Sequence, residues 1–85
     1  MKKELYEHLA MDFFTDEHRN HTVLEVGLVE EANEVALAET EEDIMEELGD
    51  VLWYVTAMAH QRGWTLSDIM TENYHKLERR AAFGK

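Results

Sequence analysis

Ile44-Met45-Glu46-Glu47-Leu48-Gly49-Asp50-Val51-Leu52-Trp53-Tyr54-Val55-Thr56-Ala57-Met58 is the stretch that decides the fold. Its apolar residues Ile44, Leu48, Val51, Val55 and Met58 recur at steps of four, three, four and three, the period of a helix with one buried face. Thr40 precedes them as a cap, and Glu41, Glu42 and Asp43 suit the positive end of the helix dipole. Gly63 follows as a left-handed terminator, with Arg62 in the last turn. The stretch predicts one long helix ending at Gly63.

The same rules extend outward. Thr22-Val23-Leu24-Glu25 has the form of a capping box and predicts a helix over residues 22–39. Before it, residues 3–14 read as a first helix carrying Leu5, Leu9, Met11 and Phe13, and the polar residues 15–21 as a connection. After Gly63, Thr65 or Ser67 opens a fourth helix running to Ala82, with Leu66, Ile69, Met70, Tyr74 and Leu77 as its stripe. The chain has no proline and only four glycines, so long helices run unbroken. Connections this short favour antiparallel neighbours. The expected fold is all-α: a small four-helix antiparallel bundle forming a single domain over residues 1–85. The stripes, and Met11, Met45, Met58 and Met70, are expected to fill its core.

A chain of 85 residues buries a modest share of its surface, so the bundle is expected to be completed by oligomerisation. It has no cysteine, which removes disulfides and thiolate zinc sites. Eight basic against 19 acidic residues leave a net charge of -11, which disfavours binding to duplex nucleic acid. No apolar run approaches a membrane span, and Glu4, Glu7, His8 and Asp12 break up what could imitate a signal peptide. A soluble, cytoplasmic protein without membrane contact is expected.

Most of these acids are ordinary solvated surface. Four are not. The stripe of the second helix should read 24, 28, 31, 35 and 38, and its residues are Leu24, Leu28, Glu31, Val35 and Ala38. A glutamate at an interior position needs a cation, a proton or a rim. Glu34 lies three residues on, where it can converge with Glu31 on one point. Glu47 and Asp50 repeat that spacing beside the stripe of the third helix. In an antiparallel hairpin turning near residue 40, Glu34 and Glu47 stand at similar height. Four converging carboxylates repel unless neutralised, and Mg²⁺ is the natural counter-ion, being hard and oxygen-seeking, with Mn²⁺ as a possible substitute. Neither of these two helices carries the Glu-x-x-His motif of di-iron bundles.

Three segments carry a resemblance. Gly27-Leu28-Val29-Glu30-Glu31-Ala32-Asn33-Glu34-Val35, Glu46-Glu47-Leu48-Gly49-Asp50-Val51-Leu52-Trp53-Tyr54 and Asn73-Tyr74-His75-Lys76-Leu77-Glu78-Arg79-Arg80 resemble, in order, motifs of the MazG-type all-α nucleoside triphosphate pyrophosphohydrolases. Asn33 and Glu30 depart from the first motif, and Ala81-Ala82-Phe83-Gly84-Lys85 lacks the Tyr-Pro frequent after the third. Little sequence precedes the first motif to build a base pocket. The resemblance implies Mg²⁺ on Glu31, Glu34, Glu47 and Asp50, and a triphosphate gripped by Asn73, Lys76 and Arg80 with Tyr54 nearby. It implies attack of water on the α-phosphorus, giving a nucleoside monophosphate and pyrophosphate, in a homodimer or homotetramer. A carboxylate not saturated by metal is expected to act as general base, with Glu31 the candidate because an interior position raises its proton affinity.

Spacing alone also supports Asn73, Lys76 and Arg80 as one strip on the fourth helix, although basic residues near a helix C-terminus are common for the dipole alone. No Gly-x-x-x-x-Gly-Lys loop cradles phosphate. Trp53 is expected to pack against another helix, and His18 and His21 to be solvated. The resemblance leaves the related phosphoribosyl-ATP pyrophosphohydrolases as the nearest rival, with the run Gly49-Asp50-Val51-Leu52-Trp53-Tyr54 favouring the MazG type, and the acidic composition also fits a binding module or DNA mimic without catalysis. A mimic spreads its acids over the exterior, whereas these four are paired beside apolar stripes.

Overall fold

The computed structural model describes residues 1–83. Gly84 and Lys85, at the end of the segment that departs from the Tyr-Pro pattern, lie outside the described residues. Four α-helices and no strands are found among them: α1 (Lys3–Ala10), α2 (His21–Leu37), α3 (Glu41–Gln61) and α4 (Leu66–Ala82). Two short 3-10 turns, Met11–Phe13 and Asp16–Arg19, join α1 to α2. No helix is long and apolar enough to cross a membrane.

Local chemistry sets each boundary. α2 begins one residue earlier than expected, because Asn20 rather than Thr22 is the cap. Its side-chain oxygen accepts from the Thr22 and Val23 amides at 2.9 and 3.4 Å. Thr40 caps α3 through the Asp43 amide at 3.1 Å. α3 ends at Gly63, whose φ of 76° suits glycine. The Gly63 amide donates to the His60 carbonyl and the Trp64 amide to Ala59, the paired bonds of a Schellman stop. Thr65 and Asp68 cap each other's amides and open α4.

The centre is an antiparallel hairpin of α2 and α3. Gly27 faces Tyr54, and Glu34 shares a pocket with Glu47, so positions descend on one helix as they rise on the other. Leu24 is fully buried in it, a contribution of about 1.5–3 kcal/mol. Ala57 and Ala59 are buried on α3, as is Thr56, whose hydroxyl donates to the Leu52 carbonyl at 2.8 Å.

The N-terminal segment is strapped across α3. Trp53 Nε1 donates to the Ala10 carbonyl at 3.0 Å, so this indole packs against another helix, as expected. His18 stacks edge-on against Trp53 with centroids 4.9 Å apart, and Gln61 Nε2 donates to the His18 and Arg19 carbonyls. His18 is therefore half-buried rather than a solvated loop residue; its Nδ1 accepts the Thr15 amide. α1 also holds the start of α4: Glu7 accepts the Leu66 amide at 3.0 Å, and Lys3 donates to the Ser67 hydroxyl.

Past that first turn α4 stands away from the hairpin. Leu66 is buried and Ile69 half-buried, but Met70, Tyr74 and Leu77 are 56%, 60% and 50% exposed. Met45 and Leu48 on α3 are exposed as well. These residues were expected in the core, and among the described residues nothing is positioned to cover them. The radius of gyration, 14.6 Å, exceeds the roughly 12 Å of a compact chain of this length, consistent with a projecting helix.

Candidate metal centre

The hairpin register assembles the carboxylates. Glu31 projects from α2, and Glu47 and Asp50 from successive turns of α3. One carboxylate oxygen from each lies within 4.8 Å of the others, an arrangement that can hold a metal ion. Glu31 and Glu47 are half-buried and Asp50 is exposed, so the trio forms a rim site open on one side. Three carboxylate oxygens at this spacing suit a hard divalent cation that keeps water or substrate oxygens in its remaining positions.

Glu34 stands outside this trio, one turn nearer the hairpin loop. It lines a pocket of about 240 Å³ with Leu37, Ala38, Glu39, Asp43 and Glu47. It thus faces Glu47 across the helices, as the register predicts, and its charge is felt at Glu31.

Glu31 carries the electrostatic signature of the cluster. Its carboxyl is pushed above the usual carboxylate range by partial desolvation first. A hydrogen bond with Glu47 and the charges of Asp50, Glu47 and Glu34 add to it. The folded chain therefore holds this proton more tightly than the unfolded chain. With no metal present, stability is expected to fall as pH rises through the window between the ordinary carboxylate value and the raised one, the loss being complete above it. Thermal unfolding in EDTA across that window checks this, and Glu31→Gln is expected to flatten the slope. Mg²⁺ at neutral pH is expected to raise the melting temperature of the native chain and to do so far less for the variant.

Tyr54 lies against α2 at Gly27, where a β-carbon would collide with its ring and hydroxyl. Its phenol is raised by burial and then by the charges of Glu31, Glu30, Asp50 and Glu17, so it remains a protonated donor. Tyr6 on α1 is raised in the same way, by burial and then by Asp50. Neither Gly27 nor Tyr6 was singled out from sequence. Gly27 did leave a signal, since glycine inside a helix costs about 0.5–1 kcal/mol relative to alanine and calls for a reason.

Asn73, Lys76 and Arg80 are all exposed on α4. Among the described residues none of the three pairs with a carboxylate of the cluster. One chain thus brings together Glu31, Glu47 and Asp50, with Tyr54 beside them and Glu34 one turn away rather than among them as expected, and carries the basic strip on the helix that projects away from its hairpin.

Comparison with known proteins gives two findings. A family model described as the MazG nucleotide pyrophosphohydrolase domain matches residues 19–82. The Gene 37 protein of Mycobacterium phage L5 is 36% identical over 69 residues, covering 65% of this chain and 60% of that protein. The chain thus spans less than two thirds of that relative's length. No solved structure matches.

Proposed function

We propose, from the premise that this chain belongs to the MazG nucleotide pyrophosphohydrolase domain family, that it hydrolyses nucleoside or deoxynucleoside triphosphates at the α-phosphorus. The products are the monophosphate and pyrophosphate, and the role is housekeeping of the nucleotide pool. The observation that carries this is the convergence of Glu31, Glu47 and Asp50 on one point of the hairpin rim.

Glu31, Glu47 and Asp50 would hold Mg²⁺, or Mn²⁺ in its place, with Glu34 supporting from the next turn. When bound, the ion offsets the triphosphate's negative charge and polarises the α-phosphoryl group. Glu31, at the point where the trio converges, is placed to accept the proton of the attacking water. A P–O bond forms from water to the α-phosphorus, and the bond from the α-phosphorus to the bridging oxygen breaks. Pyrophosphate leaves with that oxygen. Asn73, Lys76 and Arg80 grip the β- and γ-phosphates, where a net charge of -11 makes local cations necessary.

The strip reaches the carboxylates when α4 of one copy lies on the hairpin of another, in a homodimer or homotetramer. That contact also covers Met70, Tyr74 and Leu77 against the open face of α3, where Met45, Leu48 and Leu52 are exposed. Light scattering is expected to give a mass that is a multiple of 10.0 kDa. Tyr74→Glu with Leu77→Glu is expected to return it to the single-chain value. A native mass of 10.0 kDa at every concentration would refute the assembly.

Hydrolysis in ¹⁸O-enriched water tests the reaction. Label is expected in the monophosphate and not in pyrophosphate. Label in pyrophosphate or orthophosphate would place attack elsewhere and overturn the proposal.

A further inference from the structure

Tyr54 is a half-buried phenol beside a cluster of carboxylates, yet among the described residues its hydroxyl makes no hydrogen bond. Two contacts fix where that hydroxyl lies. On one side Trp53, itself pinned to the Ala10 carbonyl, meets the Tyr54 ring edge-on, with centroids 5.1 Å apart and planes at 84°. On the other side is α2, and the ring is in the space where residue 27 would carry a β-carbon. An ideal β-carbon there would stand 2.8 Å from the hydroxyl oxygen and closer still to the ring carbons. Gly27 is buried, and it lies one helical turn before Glu31 on the same face. The gap left by the missing side chain is therefore a notch that admits Tyr54 next to the carboxylates. A larger residue would turn the ring out toward solvent and leave the carboxylates in place.

We propose that Gly27 is a positioning residue of the site: its notch holds the Tyr54 hydroxyl where it donates a hydrogen bond to a phosphate oxygen of the substrate. The inference rests on the pyrophosphohydrolase function proposed above. It assigns the glycine a role through Tyr54 and none in holding the ion, because Gly27 offers no side chain and its amide belongs to α2. A hydrogen bond to a charged oxygen contributes about 1.5–3 kcal/mol, which corresponds to roughly 10–100-fold in rate. The Tyr54 ring without its hydroxyl fills the same space, so Tyr54→Phe removes the bond and keeps the packing.

The test is a double-mutant cycle on the native chain, Gly27→Ala, Tyr54→Phe and both together. Its readouts are kcat, KM and Mn²⁺ affinity by electron paramagnetic resonance. Each single variant is expected to lower kcat/KM by about 10–100-fold with Mn²⁺ affinity unchanged. The double variant is expected to be no worse than the weaker single variant, since both act through one hydroxyl. If Gly27→Ala turns over at the native rate, or if the two losses multiply in the double variant, the positioning role fails. If Gly27→Ala does not fold, Tyr54→Phe decides, and native turnover in that variant refutes the hydrogen bond. If the native chain turns over no nucleotide, the reaction itself is wrong, an outcome distinct from either.

Discussion

Glu47→Gln is expected to lower metal-dependent turnover by at least about 100-fold, while the helical content and melting temperature of the metal-free chain hold or rise. Glu47 is the common member of everything at this site. It contributes an oxygen to the trio with Glu31 and Asp50, helps Glu31 hold its proton, and faces Glu34 across the pocket. Glutamine keeps the length and one carbonyl oxygen but removes the charge that a hard cation seeks. In the metal-free chain the same change relieves repulsion among carboxylates, so it is expected to cost no stability. Loss of activity with preserved fold separates a ligand from a packing residue. Circular dichroism and a Mn²⁺ titration read the two properties independently. An acidic mimic of nucleic acid, by contrast, would lose little from one charge among 19 acidic residues.

The second large effect falls on α4. Lys76→Ala with Arg80→Ala is expected to lower kcat/KM by about 100-fold or more, since each cation lost from a phosphate contact costs roughly 1.5–3 kcal/mol. Both side chains are exposed and unpaired with the carboxylate cluster, so the fold and Mn²⁺ affinity are expected to be unchanged. If α4 of one copy completes the site of another, mixing this variant with Glu47→Gln restores activity. In a freely exchanging dimer half of the assemblies are mixed, and each holds one intact site, so recovery of up to about one quarter of native activity is expected. No recovery, together with a proven dimer, would place the strip on its own chain's hairpin instead.

The hairpin was legible in sequence because its evidence is redundant. Periodicity, the Thr40 cap and the Gly63 stop all point to α3, and Glu31 in an apolar stripe points to a site on α2 facing it. α4 was legible as a helix but not in its packing. An amphipathic stripe such as Met70, Tyr74 and Leu77 states that a face favours cover, and says nothing of which chain supplies it. The start of α2 was misplaced because Asn20 and Thr22 are both good caps two residues apart, and only the chain path decides between them. The sequence predicts a helix over residues 3–14 and a polar connection before α2. In the fold, α1 stops at Ala10, and His18 packs on Trp53, a contact between residues far apart in sequence that no local pattern encodes. Gly27 was overlooked for a related reason: its value lies in the ring of Tyr54 on the neighbouring helix.

The measurement that bears most directly on the central claim is product stoichiometry. The native chain is incubated with a panel of canonical and modified nucleoside and deoxynucleoside triphosphates, with Mg²⁺ and with EDTA. The carboxylate centre predicts equal amounts of pyrophosphate and monophosphate from at least one substrate with Mg²⁺, and none with EDTA. Release of orthophosphate and diphosphate, turnover that persists in EDTA, or no turnover of any triphosphate in the panel would contradict it.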